Sequence, residues 1–248
     1  MMHCFTLLIV LFSTVFPLDA ERFHVDDLGY IYGVREYSLT LYDRDGKLRF
    51  VYSRMDLGSP SQLDVSDPLR PLLFYPETGT LVALDNTLSE QRVLRLWDGG
   101  WGMPQWVASG VNQEFWVYDA LNKEVIRIDD RMIRRAGTGY LPAVTGHSPE
   151  IVGMAERHEQ LIIADRTHGL WIFDRFGTFV RSIPIQGLRE LRTHASGMSL
   201  ATDHGLFWMR YGEMLPTLVT LPQPAEHADV DAKRMYLHIA GQLWIYDR

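Results

Sequence analysis

Leu161-Ile162-Ile163-Ala164-Asp165, followed by Gly169-Leu170-Trp171-Ile172-Phe173-Asp174-Arg175-Phe176-Gly177-Thr178, is the stretch from which the fold can be read. Two short runs of apolar, β-branched and aromatic residues are separated by three polar positions. Runs this short, bounded by Asp and Gly, are buried strands and not helices. The brief separation makes them an antiparallel pair. Gly177 stands where the turn after the second run needs a positive φ.

The pattern recurs in both directions. Tyr30-Ile31-Tyr32-Gly33-Val34, Leu81-Val82-Ala83-Leu84-Asp85, Phe115-Trp116-Val117-Tyr118-Asp119, Leu206-Phe207-Trp208-Met209-Arg210 and Met235-Tyr236-Leu237-His238-Ile239 are further copies. A second strand follows in Ser38–Asp43, Val125–Asp129 and Gln242–Asp247, and Asp43-Arg44-Asp45-Gly46-Lys47 repeats the glycine turn. Copy starts lie 51, 34, 46, 45 and 29 residues apart. The 228 residues from Glu21 onward, shared among six copies, average 38. A repeat of about 40 residues holding three or four strands is a propeller blade.

The expectation is therefore an all-β fold, a six-bladed β-propeller with three to four antiparallel strands per blade. Its blades fall at 22–56, 62–98, 103–137, 149–184, 195–222 and 227–248. No segment carries a long amphipathic helical pattern, which excludes an α/β crossover fold. A β-sandwich of eight to twelve strands is the structural alternative. The last blade runs out after three strands. Arg22-Phe23-His24-Val25 is one candidate for the missing fourth, and the competing assignment makes it the innermost strand of blade one. Pro216, in Met214-Leu215-Pro216-Thr217-Leu218 of blade five, fits only an edge or a bulge.

Ahead of the repeats, Phe5–Pro17 is almost wholly apolar. Its length suits a secretory h-region and is short for a bilayer span. The expected cut follows Ala20, giving a leader of residues 1–20 and one domain over 21–248. Two features depart from the usual leader: His3 replaces Lys or Arg near the start, and Leu18 is large. A buried first strand is the alternative. Cys4 would leave with the leader, and the exported chain would then have no cysteine, as suits an oxidising compartment.

The chain carries 24 Lys+Arg against 31 Asp+Glu, a formal charge of −7, so it lacks the basic footprint of a nucleic-acid binder. A single Cys excludes a disulfide framework and a zinc finger. There is no G-x-S-x-G, P-loop, H-E-x-x-H, C-x-x-C or EF-hand loop. His227-Ala228-Asp229-Val230-Asp231 could present His227, Asp229 and Asp231 on one strand face to a metal, though an acidic turn is the plainer account. Strand-ending Asp43, Asp85, Asp119, Asp129, Asp165, Asp174 and Asp247 are expected to accept backbone N–H groups in turns. His158, His168 and His204 fall beside turns. Trp116, Trp171, Trp208 and Trp244 lie in strands and read as packing between blades. Arg131, Arg134 and Arg135 read as a solvated edge.

Two segments read as contact surfaces. Trp97, Trp101 and Trp106 flank Asp98-Gly99-Gly100, and aromatics on a turn can anchor a partner or a sugar. Ala136–Pro149, with Tyr140, is longer than a blade junction needs, and long ordered loops on rigid scaffolds often carry function. No cofactor is expected.

Asp67-Pro68-Leu69-Arg70-Pro71-Leu72-Leu73-Phe74-Tyr75-Pro76, Leu81–Glu90 and Phe115–Lys123 resemble small exported β-propellers of Bacteroidetes bacteria, a family taken to include the Plug-type subunit of the type IX secretion translocon. The resemblance covers roughly residues 22–180 and consists of blade pattern. It implies a periplasmic location at the outer membrane and a protein partner there, with no catalytic residues to carry over. The leading expectation is a non-enzymatic interaction subunit. A metal-dependent hydrolase or lactonase, and a carbohydrate-binding propeller, are the alternatives.

Overall fold

The computed structural model describes residues 11–248. The described residues form six four-stranded antiparallel sheets. Strand β1 (Leu11–Pro17) comes first. Blade one follows with β2 (Arg22–Val25), β3 (Ile31–Arg35), β4 (Ser38–Tyr42) and β5 (Leu48–Ser53). Blade two holds β6 (Gln62–Asp64), β7 (Leu72–Tyr75), β8 (Thr80–Leu84) and β9 (Glu90–Arg95). Blade three holds β10 (Pro104–Ser109), β11 (Phe115–Asp119), β12 (Glu124–Ile128) and β13 (Arg134–Gly137), and the short helix α1 (Leu141–Thr145) follows. Blade four holds β14 (Ile151–Arg157), β15 (Gln160–Asp165), β16 (Gly169–Asp174) and β17 (Phe179–Ile183). Blade five holds β18 (Leu188–His194), β19 (Gly197–Thr202), β20 (Gly205–Arg210) and β21 (Thr217–Leu218). Blade six holds β22 (His227–Val230), β23 (Arg234–Ile239) and β24 (Gln242–Asp247), with β1 on its outer edge. The first strand of each blade is innermost, as the contacts between neighbouring first strands show.

The fold is thus a six-bladed β-propeller, with four strands in every blade. Blade five begins at Leu188, seven residues before the expected 195. Its outer strand is cut to two residues, with Pro216 just before it, at the edge where a missing N–H does no harm.

The core is divided by blade. Six buried clusters fill the six gaps between neighbouring sheets. Trp116 and Trp171 meet between blades three and four, and Trp208 and Trp244 pack between five and six. Each buried Leu, Phe or Ile in such a gap contributes about 1.5–3 kcal/mol through apolar burial. The strands read as near-continuous apolar runs because both faces are covered by neighbours: every residue of β7, β8 and β11 is buried.

Ring closure uses a different segment from the one first offered. Arg22–Val25 is the innermost strand of blade one, pairing with Ile31–Val34. The fourth strand of blade six is β1, which pairs antiparallel with β24 from Leu11↔Asp247 to Pro17↔Gln242. The second half of the expected h-region therefore sits in the sheet, and its first half, with Cys4, lies outside the described residues. Phe16 and Leu18 belong to the cluster between blades six and one, beside Phe23, Ile31, Tyr236 and Ile245. Leu18 N–H donates to the Gly241 carbonyl at 2.9 Å, and the Leu18 carbonyl lies 3.1 Å from His238 Nε2. Two glycines make room for the segment. A Cβ on Gly33 would stand 3.1 Å from that of Ala20, and one on Gly46 (φ +80°) would strike the Phe16 ring.

Candidate functional site

Asp43, Asp85, Asp129 and Asp174 end the third strands of blades one to four. Each Oδ1 accepts the N–H groups two and four residues on, at 2.8–3.1 Å, closing the turn to the outer strand. These aspartates are turn residues, as expected.

Asp119 and Asp165 end second strands and do a different job. Asp119 accepts Gly102 N–H and Met103 N–H from the connection that enters blade three, each at 3.0 Å. It also accepts Leu121 N–H at 3.0 Å and Asn122 Nδ2–H at 2.7 Å from its own turn. Burial raises its pKa, but these donors outweigh burial and hold the carboxyl below its ordinary range. Asp165 likewise takes Glu150 N–H at 2.6 Å, together with Thr167 N–H and His168 N–H. Each carboxylate thus ties a between-blade connection to the adjacent turn and fixes the loops at one end of the ring, where the inner strands begin.

That end carries a concentrated apolar surface over blades two to four. Trp97 is 50% exposed and lies over Gly79 in the β7–β8 turn. Met103 and Leu121 are exposed; Leu121 packs on Gly102, and Ala120 N–H donates to the Met103 carbonyl at 2.9 Å. Tyr140, 55% exposed, precedes α1, whose buried Leu141 donates its N–H to the Lys123 carbonyl at 2.8 Å. The long segment 136–149 is therefore an ordered platform, finished by His147 stacking on His168 with centroids 3.8 Å apart. At the opposite end of the ring, exposed apolar residues such as Leu28, Leu69, Ile133 and Phe176 fall in turns of separate blades.

The three tryptophans of the glycine-rich segment part company. Trp97 faces solvent. Trp101 is half-buried, folded over Gly99 against the core between blades two and three. Trp106 lies on innermost strand β10 and lines the central channel. Arg134 and Arg135 sit on outer strand β13, paired with Glu124 and Asp129. His158 occupies the left-handed β14–β15 turn (φ 52°) beside the Tyr211 ring.

His227, Asp229 and Asp231 are not gathered by the structure into one site. Asp229 is fully buried in the channel wall, 3.1 Å from His194 Nε2 and 3.5 Å from Arg192 Nη1. Burial pushes its pKa up, but His194 and Arg192 prevail and hold it well below the usual carboxylate range. His227 stacks near His238. Asp231 turns to the N–H groups of Lys233 and Arg234 and the Tyr236 hydroxyl. Among the described residues, no three His, Cys, Asp or Glu side chains are grouped to hold a metal. Sequence reasoning missed Arg22, His24, Glu190 and Arg192, which line the channel with Asp229, and His194, which pairs with it. No local motif announces them, because blades one and five bring them to a carboxylate of blade six.

No protein-family model matches the chain, and no curated protein matches it. Solved structures do. Virginiamycin B lyase from Staphylococcus aureus aligns with a TM-score of 0.60 at 10% identity, covering 91% of this chain and 79% of that one. BBS1N in complex with ARL6DN gives 0.57 at 9%, covering 88% and 74%. The WD40 domain of Neurospora crassa Pan2 gives 0.55 at 9%, covering 92% and 88%. At these identities the likeness shows the propeller fold alone. No helix among the described residues is long and apolar enough to cross a membrane.

Proposed function

We propose that this propeller is a non-enzymatic interaction subunit that engages a protein partner through the face bearing Trp97, Met103, Leu121 and Tyr140. The observation that carries the reading is the Asp119 carboxylate, which locks two of the loops that present those side chains. Pre-ordered loops lose little entropy on binding, and exposed aromatics on such loops are the usual anchors of an interface. The BBS1N propeller, in complex with ARL6DN, is a fold-level precedent; the lyase neighbour shows that the fold also carries catalysis.

The narrower assignment, a periplasmic accessory subunit of an outer-membrane complex such as the type IX translocon, rests on the leader reading and on the family resemblance. The ring-closing role of Leu11–Pro17 weighs against removal of residues 1–20, so the N-terminal residue of the purified protein decides that part. The partner reading stands or falls separately. Tagged full-length protein should recover one stoichiometric protein partner from its native cells, and Trp97→Ala with Tyr140→Ala should lose it while melting like wild type. Recovery of no partner, together with metal-dependent turnover of lactones or phosphoesters that is lost in Asp229→Ala, would replace this reading with the hydrolase one.

A further inference from the structure

The ring encloses a cavity of about 590 Å³ on its axis, within the size range of small-molecule sites. Its lining comes from the inner strands of all six blades, joined by Ser61, Thr202, Gly205, Leu221 and Glu226 at the end where those strands begin, so it opens at that end. The far mouth is barred. Arg157, at the end of β14, reaches across the ring from blade four to Asp27 of blade one at 2.9 Å, and also donates to the Thr193 hydroxyl and carbonyl at 3.2 Å. The channel is therefore a cup.

The wall of the cup has two characters. Blades two, three and four contribute Leu63, Val65, Trp106, Val107, Val152 and Met154. Their few polar groups are occupied: Asp64 accepts Ser66 N–H and Ser109 N–H, and Gln62 is bonded to the Val107 and Gln105 backbone. Blades five, six and one contribute Arg22, His24, Glu190, Arg192, His227 and Asp229. Charge is balanced deep in this wall, where Arg192 lies between Glu190 at 2.9 Å and Asp229 at 3.5 Å. Nearer the mouth, where Glu226 also lines the wall, Arg22 has no direct ion pair. The Arg22 guanidinium donates only to the carbonyls of Ser61 and Pro60, and among the described residues no carboxylate lies within ion-pair distance of it, although the charges of Glu190 and Glu21 reach it from further away. His24, beside it on β2, has no hydrogen-bond partner among the described residues. Burial, then the charges of Arg192 and Arg22, hold its pKa well below the ordinary histidine value.

We propose that the cup binds a small organic anion, with its carboxylate on Arg22 and His24 and its apolar body against Trp106, Val152 and Met154. A cation would meet the Arg22 guanidinium, and a neutral ligand would leave that group without a direct ion-pair partner. His24, kept neutral, can donate one N–H to the carboxylate. The apolar wall opposite requires that the ligand carry hydrocarbon as well as charge. This inference is independent of the partner face.

The probe is 2-naphthoate, titrated into the full-length protein by calorimetry and followed by the Met154 methyl NMR signal. Its neutral counterpart is 2-naphthalenemethanol. The cup should bind naphthoate saturably, at least about tenfold more tightly than the alcohol, with a shift of the Met154 signal. Arg22→Gln should weaken naphthoate at least about tenfold, while Arg95→Gln, on the outer strand of blade two, should leave it unchanged. Arg22 also tethers blade one to the junction at Pro60 and Ser61, so Val152→Trp, which fills the apolar wall without touching that tether, serves as the second variant and should abolish binding. Equal affinity for the alcohol, binding that survives Val152→Trp, or no saturable binding up to about 10 mM naphthoate would overturn the proposal.

Discussion

Leu18→Ala tests whether the N-terminal segment belongs to the folded ring. Leu18 is fully buried, in the gap between blades six and one. Its N–H is bonded to Gly241 and its carbonyl to His238, so the backbone is held on both sides and cannot slide in to fill a void. Leu→Ala in a core costs about 2–5 kcal/mol, and more where the site cannot collapse, so a loss of about 3 kcal/mol is expected here. Urea unfolding followed by tryptophan fluorescence measures it, with the N-terminus of each sample fixed by intact mass. Val15→Ala, three residues earlier on β1 at 38% exposure, is the control and should cost under about 0.5 kcal/mol. A Leu18→Ala protein that retains residue 18 and is as stable as wild type would refute the packing described here. If the mature chain begins at Glu21, no substitution at Leu18 could matter, and blade six would have to close without β1.

Further outcomes follow from individual contacts. Gly46→Ala combines a positive φ with overlap on the Phe16 ring, and should lower stability by more than about 1 kcal/mol in the same assay. Asp119→Ala strips the acceptor from Gly102, Met103 and Leu121; it should cost about 1–3 kcal/mol and speed amide exchange in segments 100–103 and 120–123 while distant blades stay protected. Burial lowers the His194 pKa, but Asp229 outweighs it and the net shift is upward. Its stabilising contribution is therefore complete below the unfolded value near 6.5 and lost as pH rises through the higher folded value, so the urea midpoint should fall across that window. That fall should be absent in Asp229→Asn. If Trp97 is a central anchor, Trp97→Ala should weaken partner binding by about 2–4 kcal/mol, as measured by calorimetry with the recovered partner.

The blades were legible in the sequence because strands buried on both faces are apolar at nearly every position, as in Leu161–Asp165 and Gly169–Asp174. The uneven spacing of the quoted runs has a structural origin. Leu81–Asp85 and Leu206–Arg210 are third strands, whereas the runs at 30, 115, 161 and 235 are second strands. Second strands alone begin at Ile31, Leu72, Phe115, Gln160, Gly197 and Arg234, at intervals of 41, 43, 45, 37 and 37 residues. The inner strands were harder to see. Leu188–His194 holds only two apolar residues, Leu188 and Leu191, among Arg189, Glu190 and Arg192, because one side of that strand faces the channel and not another blade. Leu11–Pro17 misled for a physical reason, since an apolar β-branched run serves a secretory h-region and a buried strand equally well. The cup could not be read at all: it gathers side chains from the inner strands of all six blades, spread from Arg22 to Asp229, and neither of these residues stands in a motif. The exposure of Trp97 and Tyr140 agrees with their local loop composition, whereas the inward turns of Trp101 and Trp106 depend on packing that local sequence does not encode.

The partner face is tested most directly by site-specific photocrosslinking. A benzoylphenylalanine placed at Trp97 or at Tyr140 in the otherwise wild-type protein, irradiated in its native cells, should form a discrete adduct with one and the same protein. The same probe at Asn112, in the β10–β11 turn at the opposite end of the ring, should form none with it. An adduct from Asn112 to that protein with none from Trp97 or Tyr140 would place the interface at the other end of the propeller and contradict the account.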